Sequence, residues 1–226
     1  MIKILFLIPL SIIISLSSFA QNHQEQITES RIGITYSTFG EHRIVRFQET
    51  EDPGYSIQAN SNSRGDQFYV AGLNYLYQLN KVLEFETGIE YANHKFYIVS
   101  TDPLIDAKGI KTTISVINIP LSLRVNFARY FFINGGLNVD INATKSEYID
   151  SQTGIGGIIG LGLKYDSQLG VSVFVNPYFK AYSLIPFTEV DNHQRLMESG
   201  LRFGLMYKLN LNKTNKNSGK YRLPCS

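Results

Sequence analysis

From Tyr69 onward the chain alternates apolar and polar positions with period two. Tyr69, Ala71, Leu73, Tyr75, Tyr77 and Leu79 are apolar or aromatic, with Gly72, Asn74 and Gln78 between them. Leu83 to Tyr91, Ile117 to Phe127, Phe131 to Ile141, Ile155 to Tyr165 and Leu201 to Leu209 repeat the pattern. Each such run is the signature of a strand with one apolar and one polar face. No stretch sustains the i, i+3, i+4, i+7 spacing of an amphipathic helix. With Arg31–Phe39 and Gly170–Leu184 added, the pattern predicts eight strands, over 31–39, 67–79, 82–100, 110–127, 130–146, 154–165, 169–184 and 195–211. Pro120 and Pro177 interrupt two of them and are expected to force a bulge or kink, because proline cannot donate to a ladder.

The connections sort by parity. Strands two and three, four and five, and six and seven are joined tightly at Asn80-Lys81, Ala128-Arg129 and Asp166-Ser167-Gln168, whereas the remaining connections are long. Short turns on one rim and long loops on the other characterise an outer-membrane barrel. The expected fold is therefore all-β, an eight-stranded antiparallel up-and-down transmembrane β-barrel. Its polar series would line the lumen and its apolar series would face lipid. The competing arrangement, a soluble periplasmic lipocalin-like carrier, places the apolar series inside around a hydrophobic ligand. Tyr75, Tyr77, Phe85, Phe127, Phe131, Tyr165 and Tyr207 all belong to the apolar series near the tight turns, which suits an aromatic girdle at the periplasmic interface.

Composition adds the compartment. Lys3, the apolar run Ile4–Ile14 and the small residues Ser18 and Ala20 have the layout of a secretory signal peptide, with cleavage expected after Ala20. That apolar run is shorter than the roughly 20 residues of a spanning helix. The net charge of +2 lacks the basic excess of a general nucleic-acid binder. A single cysteine, Cys225, excludes an intrachain disulfide framework.

The polar face carries the chemistry worth weighing. Glu84, Glu86, Glu90 and Asp140 alternate there with Arg124, Lys164, Lys180, Arg202 and Lys208. None of these tolerates isolation in a dry interior. An eight-stranded lumen is just wide enough for side chains to fill, so an interlocking ion-pair network is expected, with a narrow charge-lined pore as the alternative. His23, His42, His94 and His193 share no metal-ligand spacing and are expected to be solvated, in the N-terminal tail, the first long loop, the outer end of the third strand and the last long loop respectively. An enzyme acting on lipid could combine His94 or His193 with Ser100, Asp102 or Asp191. The Gly154-Ile-Gly156-Gly157-Ile-Ile-Gly160 run is no dinucleotide motif, since its third glycine is one position late and no helix follows. Its glycines are instead expected to allow close strand packing or to leave lumen space for long neighbouring side chains. No cofactor motif is present in the sequence.

Taken together, Gly72–Leu79, Leu83–Tyr91, the Ile-Asn-Ile-Pro-Leu-Ser-Leu-Arg segment 117–124 and Phe131–Asn138 resemble the PorT-like outer-membrane β-barrel family of the Bacteroidetes. The resemblance implies an eight-stranded barrel in the cell outer membrane, in a family with some members in a secretion apparatus. The expected organisation is a signal peptide over 1–20, a periplasmic segment over 21–30, the barrel over 31–211 and a basic tail over 212–226. The expected role is non-enzymatic, in contact with outer-membrane lipid. A protein partner would meet loop 41–66, which carries Arg43, Arg46, Glu49, Glu51, Asp52, Tyr55 and Arg64, or the tail.

Overall fold

The computed structural model describes residues 29–50, 54–59, 63–98, 110–144, 146, 149–188 and 193–209. The expected signal peptide, the start of the periplasmic segment and the basic tail lie outside these residues. Alternation produces strands β1 (Ser30–Thr50), β2 (Gly54–Ala59), β3 (Ser63–Gln78), β4 (Leu83–Ile98) and β5 (Ile110–Phe127). It continues through β6 (Phe131–Asn142), β7 (Gly154–Asp166), β8 (Val171–Pro186) and β9 (Gln194–Leu209). Every neighbouring pair is antiparallel, and β1 closes the sheet by pairing with β9 from Ser30↔Leu209 to Arg46↔Gln194. The short β2 pairs only with the far end of β1 and shares one wall with β3, so the closed barrel has eight walls. Closure leaves no free edge for hydrocarbon to strand unpaired.

The first strand differs most from expectation. It runs to Thr50 instead of Phe39, so residues 41–46 of the expected loop 41–66 are barrel wall beside β9, and 47–50 form a hairpin with the returning β2, Gly54–Ala59. Gly40 and the polar run from Glu41 to Arg43 hid this continuation. Gly40 has φ +149 at a close approach to Ser199 and Gly200 of β9, where a side chain would collide with backbone. The prolines also behave differently. Register continues unshifted past both Pro120 and Pro177, with paired residues missing on one side only, opposite Gly88-Ile89 and Leu161-Gly162. The true register shifts fall at Ser37/Phe39, Gly65/Phe68 and Ile155/Gly157.

Tight turns and both chain ends of the barrel share one rim. Asn80 Oδ1 accepts from the backbone N–H of Val82 and Leu83, which closes the β3–β4 turn. Ala128 takes φ 56 in the β5–β6 turn, and Gly170 takes φ 81 between β7 and β8. The opposite rim carries the long connections. Loop parity read from the sequence is thus the parity of the barrel.

The outer surface is apolar. Leu73 is 63% exposed and Ile89 62%, and Ile34, Leu121, Leu137, Ile159 and Leu161 stand on the same face. This excludes the lipocalin-like arrangement, which needs these side chains inside. No helix among the described residues is long and apolar enough to cross a membrane, and the strands provide the apolar surface instead.

Candidate functional site

Inside a cluster of ion pairs at the turn rim, the barrel interior is filled in three layers. Nearest the tight turns, Leu76, Phe132, Phe174 and Met206 form an apolar plug. Inner-face glycines make room for its rings. A Cβ at Gly162 would run into the Phe132 ring, and one at Gly204 into Phe174. Gly156 and Gly160 clear space in the same way for Asn138, Asp140, Asn134 and Asn176, as expected of the glycine run.

Above that plug lies the charged layer. Glu86 Oε2 accepts from Arg124 Nη2 at 2.8 Å, and its Oε1 lies 3.2 Å from Arg202 Nη1. Glu90 accepts from Lys180 Nζ at 3.0 Å and from Arg202 Nη1 at 3.4 Å. Arg202 thus bridges two carboxylates. Lys180 also donates to Asn118 Oδ1 at 3.0 Å. Asn74 donates to both glutamates and accepts from Thr35 Oγ1 at 2.7 Å. The Arg124 guanidinium lies 4.2 Å from the Phe132 ring and 4.6 Å from Phe174, so its faces are covered by aromatics while its edge meets Glu86.

The other expected members divide differently. Glu84 lies across from Arg124 in register, yet Arg124 reaches Glu86. Glu84 belongs to a cluster at the turn rim, 3.5 Å from Arg31 and 3.7 Å from Lys164. Asp166 joins both cations there, and Glu29 holds Arg31 and Lys208. Asp140 corrects the ion-pair expectation. Among the described residues no cation lies within 4 Å of it. Asn118 donates to its carboxylate at 2.8 Å, the Ser183 N–H at 3.0 Å, and Asn138 also donates.

Beyond the charged layer, Ile44, Phe68, Val70, Phe96, Ile114, Tyr182 and Leu196 build a second apolar plug. At its base sits Glu198, which accepts from the hydroxyls of Tyr178 and Tyr182 and lies 3.2 Å from His94 Nε2. Glu198 was not among the expected lumen charges, although extending the alternation of β9 two residues before Gly200 reaches it. The histidines contradict the solvated expectation. His42, His94 and His193 are all buried, and His94 stacks on Phe68 at 5.6 Å. Complete burial of His94 removes it from any substrate, which overturns its suggested enzymatic role. Ser100, Asp102, Asp191 and His23 lie outside the described residues.

The β6–β7 connection seals the mouth. Ile149 inserts into the upper plug, and Gln152 donates to the Gln194 carbonyl and accepts from the Leu196 N–H, each at 2.8 Å. Asp150 accepts from the Gln194 N–H at 2.9 Å, and its carboxylate is 3.9 Å from His193 Nδ1. Burial holds the His193 pKa below its usual value, with Asp150 opposing that shift. A depressed folded pKa makes the contribution of neutral His193 complete above about pH 6.5 and lost as pH falls through the folded value. Amide exchange in residues 149–153 is therefore expected to quicken on acidification in the wild type. The slope should flatten in His193→Gln, and an unchanged slope would remove His193 from the latch.

All seven expected girdle aromatics stand on the outer side of the wall near the turn rim. Phe127 and Phe131 stack at 5.9 Å across their turn, and Tyr75 donates to Ser30 Oγ at 2.8 Å. A second aromatic set faces outward toward the other rim, including Phe39 against Phe203 and Tyr69 against Tyr91. Tyr69 and Tyr77 are eight residues apart on β3, about 27 Å along a strand. A tilt of roughly 40° brings that to about 20 Å of height, close to the ~25 Å apolar band of such barrels.

Among solved structures, the chain is similar to the outer-membrane protein AlkL, seen in DMPC bilayers, at 13% identity and a TM-score of 0.48 over 85% of this chain and 95% of that one. It is similar to the outer-membrane protein OprG of Pseudomonas aeruginosa at 14% identity and a TM-score of 0.40, over 80% and 95% of the two chains. Ail, the attachment invasion locus protein of Yersinia pestis, aligns at 14% identity and a TM-score of 0.34, over 79% and 99%. No family model and no curated protein matches the sequence. The likeness is one of fold alone.

Proposed function

We propose that this protein is a non-enzymatic outer-membrane barrel of the PorT-like kind, a membrane anchor that acts through the segments it presents at its rims. The observation carrying this reading is a lumen packed from end to end beneath an apolar outer surface. A void of about 10 Å³, room for about one water, lies beside Ser37, Glu90, Tyr178, Lys180, Glu198 and Arg202. Two apolar plugs flank the charged layer and interrupt any aqueous path among the described residues. The seven turn-side aromatics serve as the periplasmic girdle in this reading, and the buried ion pairs fix the barrel's interior. A protein partner would bind the β1–β2 hairpin, within the expected loop 41–66, or the tail 212–226.

The test is reconstitution in a planar bilayer together with a carbonate wash of cell membranes. Carbonate-resistant association and no steady conductance are expected. Discrete ohmic channel openings would overturn the anchor reading in favour of a pore, and release by carbonate would overturn the membrane assignment.

A further inference from the structure

The outer faces of β4 and β5 carry a graded series of groups toward the long-loop rim. Register places Tyr91 opposite Ile117, Asn93 opposite Ser115, Lys95 opposite Thr113 and Tyr97 opposite Lys111. Below this series the wall is apolar apart from Thr87, with Ile89 and Leu121 exposed. The ring of Tyr91 lies 6.2 Å from that of Tyr69, while its hydroxyl turns upward to donate to Ser115 Oγ at 2.9 Å. Asn93 donates to the same oxygen at 2.9 Å. One step higher come the exposed Lys95 and Lys111, and Lys111 Nζ lies 5.0 Å from the Tyr97 ring centre. Among the described residues neither lysine has a carboxylate within 4 Å. Lys95 and Lys111 are diagonal cross-strand neighbours on one face, a separation of roughly 7–8 Å between backbones that two ammonium groups can close around one anion.

The order of this series is hydrocarbon, hydroxyl and amide, then paired cations. It is the order of groups along an anionic lipid, from acyl chain through ester or sugar oxygens to phosphate. We propose that Lys95 and Lys111 bind the phosphate of an outer-leaflet lipid whose acyl chains lie against Tyr69, Ile89, Tyr91 and Ile117. The side-facing position directly above the apolar wall selects a lipid, because a soluble anion would gain nothing from the surface below. Asp66, in the bulge of β3, is the nearby carboxylate and disfavours a second anion at the β3 side. This site rests on the membrane reading of the outer face.

Native mass spectrometry of the full chain, released from neutral detergent with added dimyristoylphosphatidylglycerol, tests the proposal. The wild type is expected to retain one phosphatidylglycerol in preference to phosphatidylcholine. Lys95→Gln with Lys111→Gln should weaken that retention about 25-fold, a factor of about five for each cation at a membrane surface. Lys81→Gln at the turn rim should leave it unchanged. A tenfold excess of inorganic phosphate should not displace the lipid, and displacement would overturn the lipid in favour of a free-phosphate site. Equal retention by the wild type and the double variant would overturn the site itself. Carbonate resistance of the double variant, expected to match the wild type, separates loss of the site from failure of the membrane reading.

Discussion

Glu86→Ala is expected to destabilise the folded barrel by about 3–5 kcal/mol, the range for breaking a buried ion pair from one side. Glu86 is the acceptor shared by Arg124 and Arg202, and its removal leaves the Arg124 guanidinium with only aromatic faces for company. Arg202 retains Glu90, which confines the damage to one side of the layer. Neither cation can move to water, because the plugs close both directions. Urea titration in detergent micelles, read by the gel mobility of unheated samples, measures the loss. Lys208→Ala, which removes a partly solvated rim pair with Glu29, should cost at most about 1 kcal/mol. A Glu86→Ala midpoint as close to wild type as that of Lys208→Ala would mean the charged layer is solvated. Replacing Glu86 and Arg124 together by leucine should cost less than Glu86→Ala alone, since no unpaired guanidinium remains.

The second large effect is on the outer face. Leu73→Arg places a guanidinium midway between Tyr69 and Tyr77, where the apolar band is farthest from either rim. In a membrane barrel the cost is about 2–4 kcal/mol at the midplane and falls to ~0–1 kcal/mol near the interfaces. Tyr77→Arg, four residues nearer the turn rim, should therefore cost markedly less. The comparison is read as folding yield into lipid vesicles and as the urea midpoint of the folded fraction. Equal tolerance of arginine at 73 and 77 would show that this surface faces water, and would undo the membrane assignment with it. Because Leu73 stands exposed on the outer face, away from the core, a conservative Leu73→Ala serves as the control for lost packing.

Both effects follow from the same alternation, yet they were not equally legible beforehand. Which residues face in and which face out was readable from the chain, because strand side chains alternate strictly and a membrane barrel inverts the usual assignment. Glu86, Glu90, Arg124, Lys180 and Arg202 were therefore recoverable as one polar set, and Tyr75, Tyr77 and Phe127 as one outward set. Loop parity gave the topology, since a closed meander admits a single strand order. Strand ends were legible wherever a compact turn marks them, as at Asn80 or Ala128. They were not legible past Gly40, where β1 continues through polar residues as barrel wall beside β9.

Partnership was decided only by the tertiary structure. Register puts Glu84 beside Arg124, but the long guanidinium reaches diagonally to Glu86 and leaves Glu84 to Arg31 and Lys164 at the rim. Asp140 satisfies its carboxylate with amides, because Asn118, Asn138 and the Ser183 N–H converge on it from β5, β6 and β8. His42 looked like a solvated loop residue and His94 like the solvated outer end of a strand, yet both are core, since burial depends on what the opposite wall places across the lumen. The sequence alone determined the periodicity, the two faces and the barrel topology, all of which are local properties of strands and turns. Only the closed structure decided which charges meet, how the lumen is plugged and where Lys95 and Lys111 come together, because these depend on contacts between walls distant in the chain.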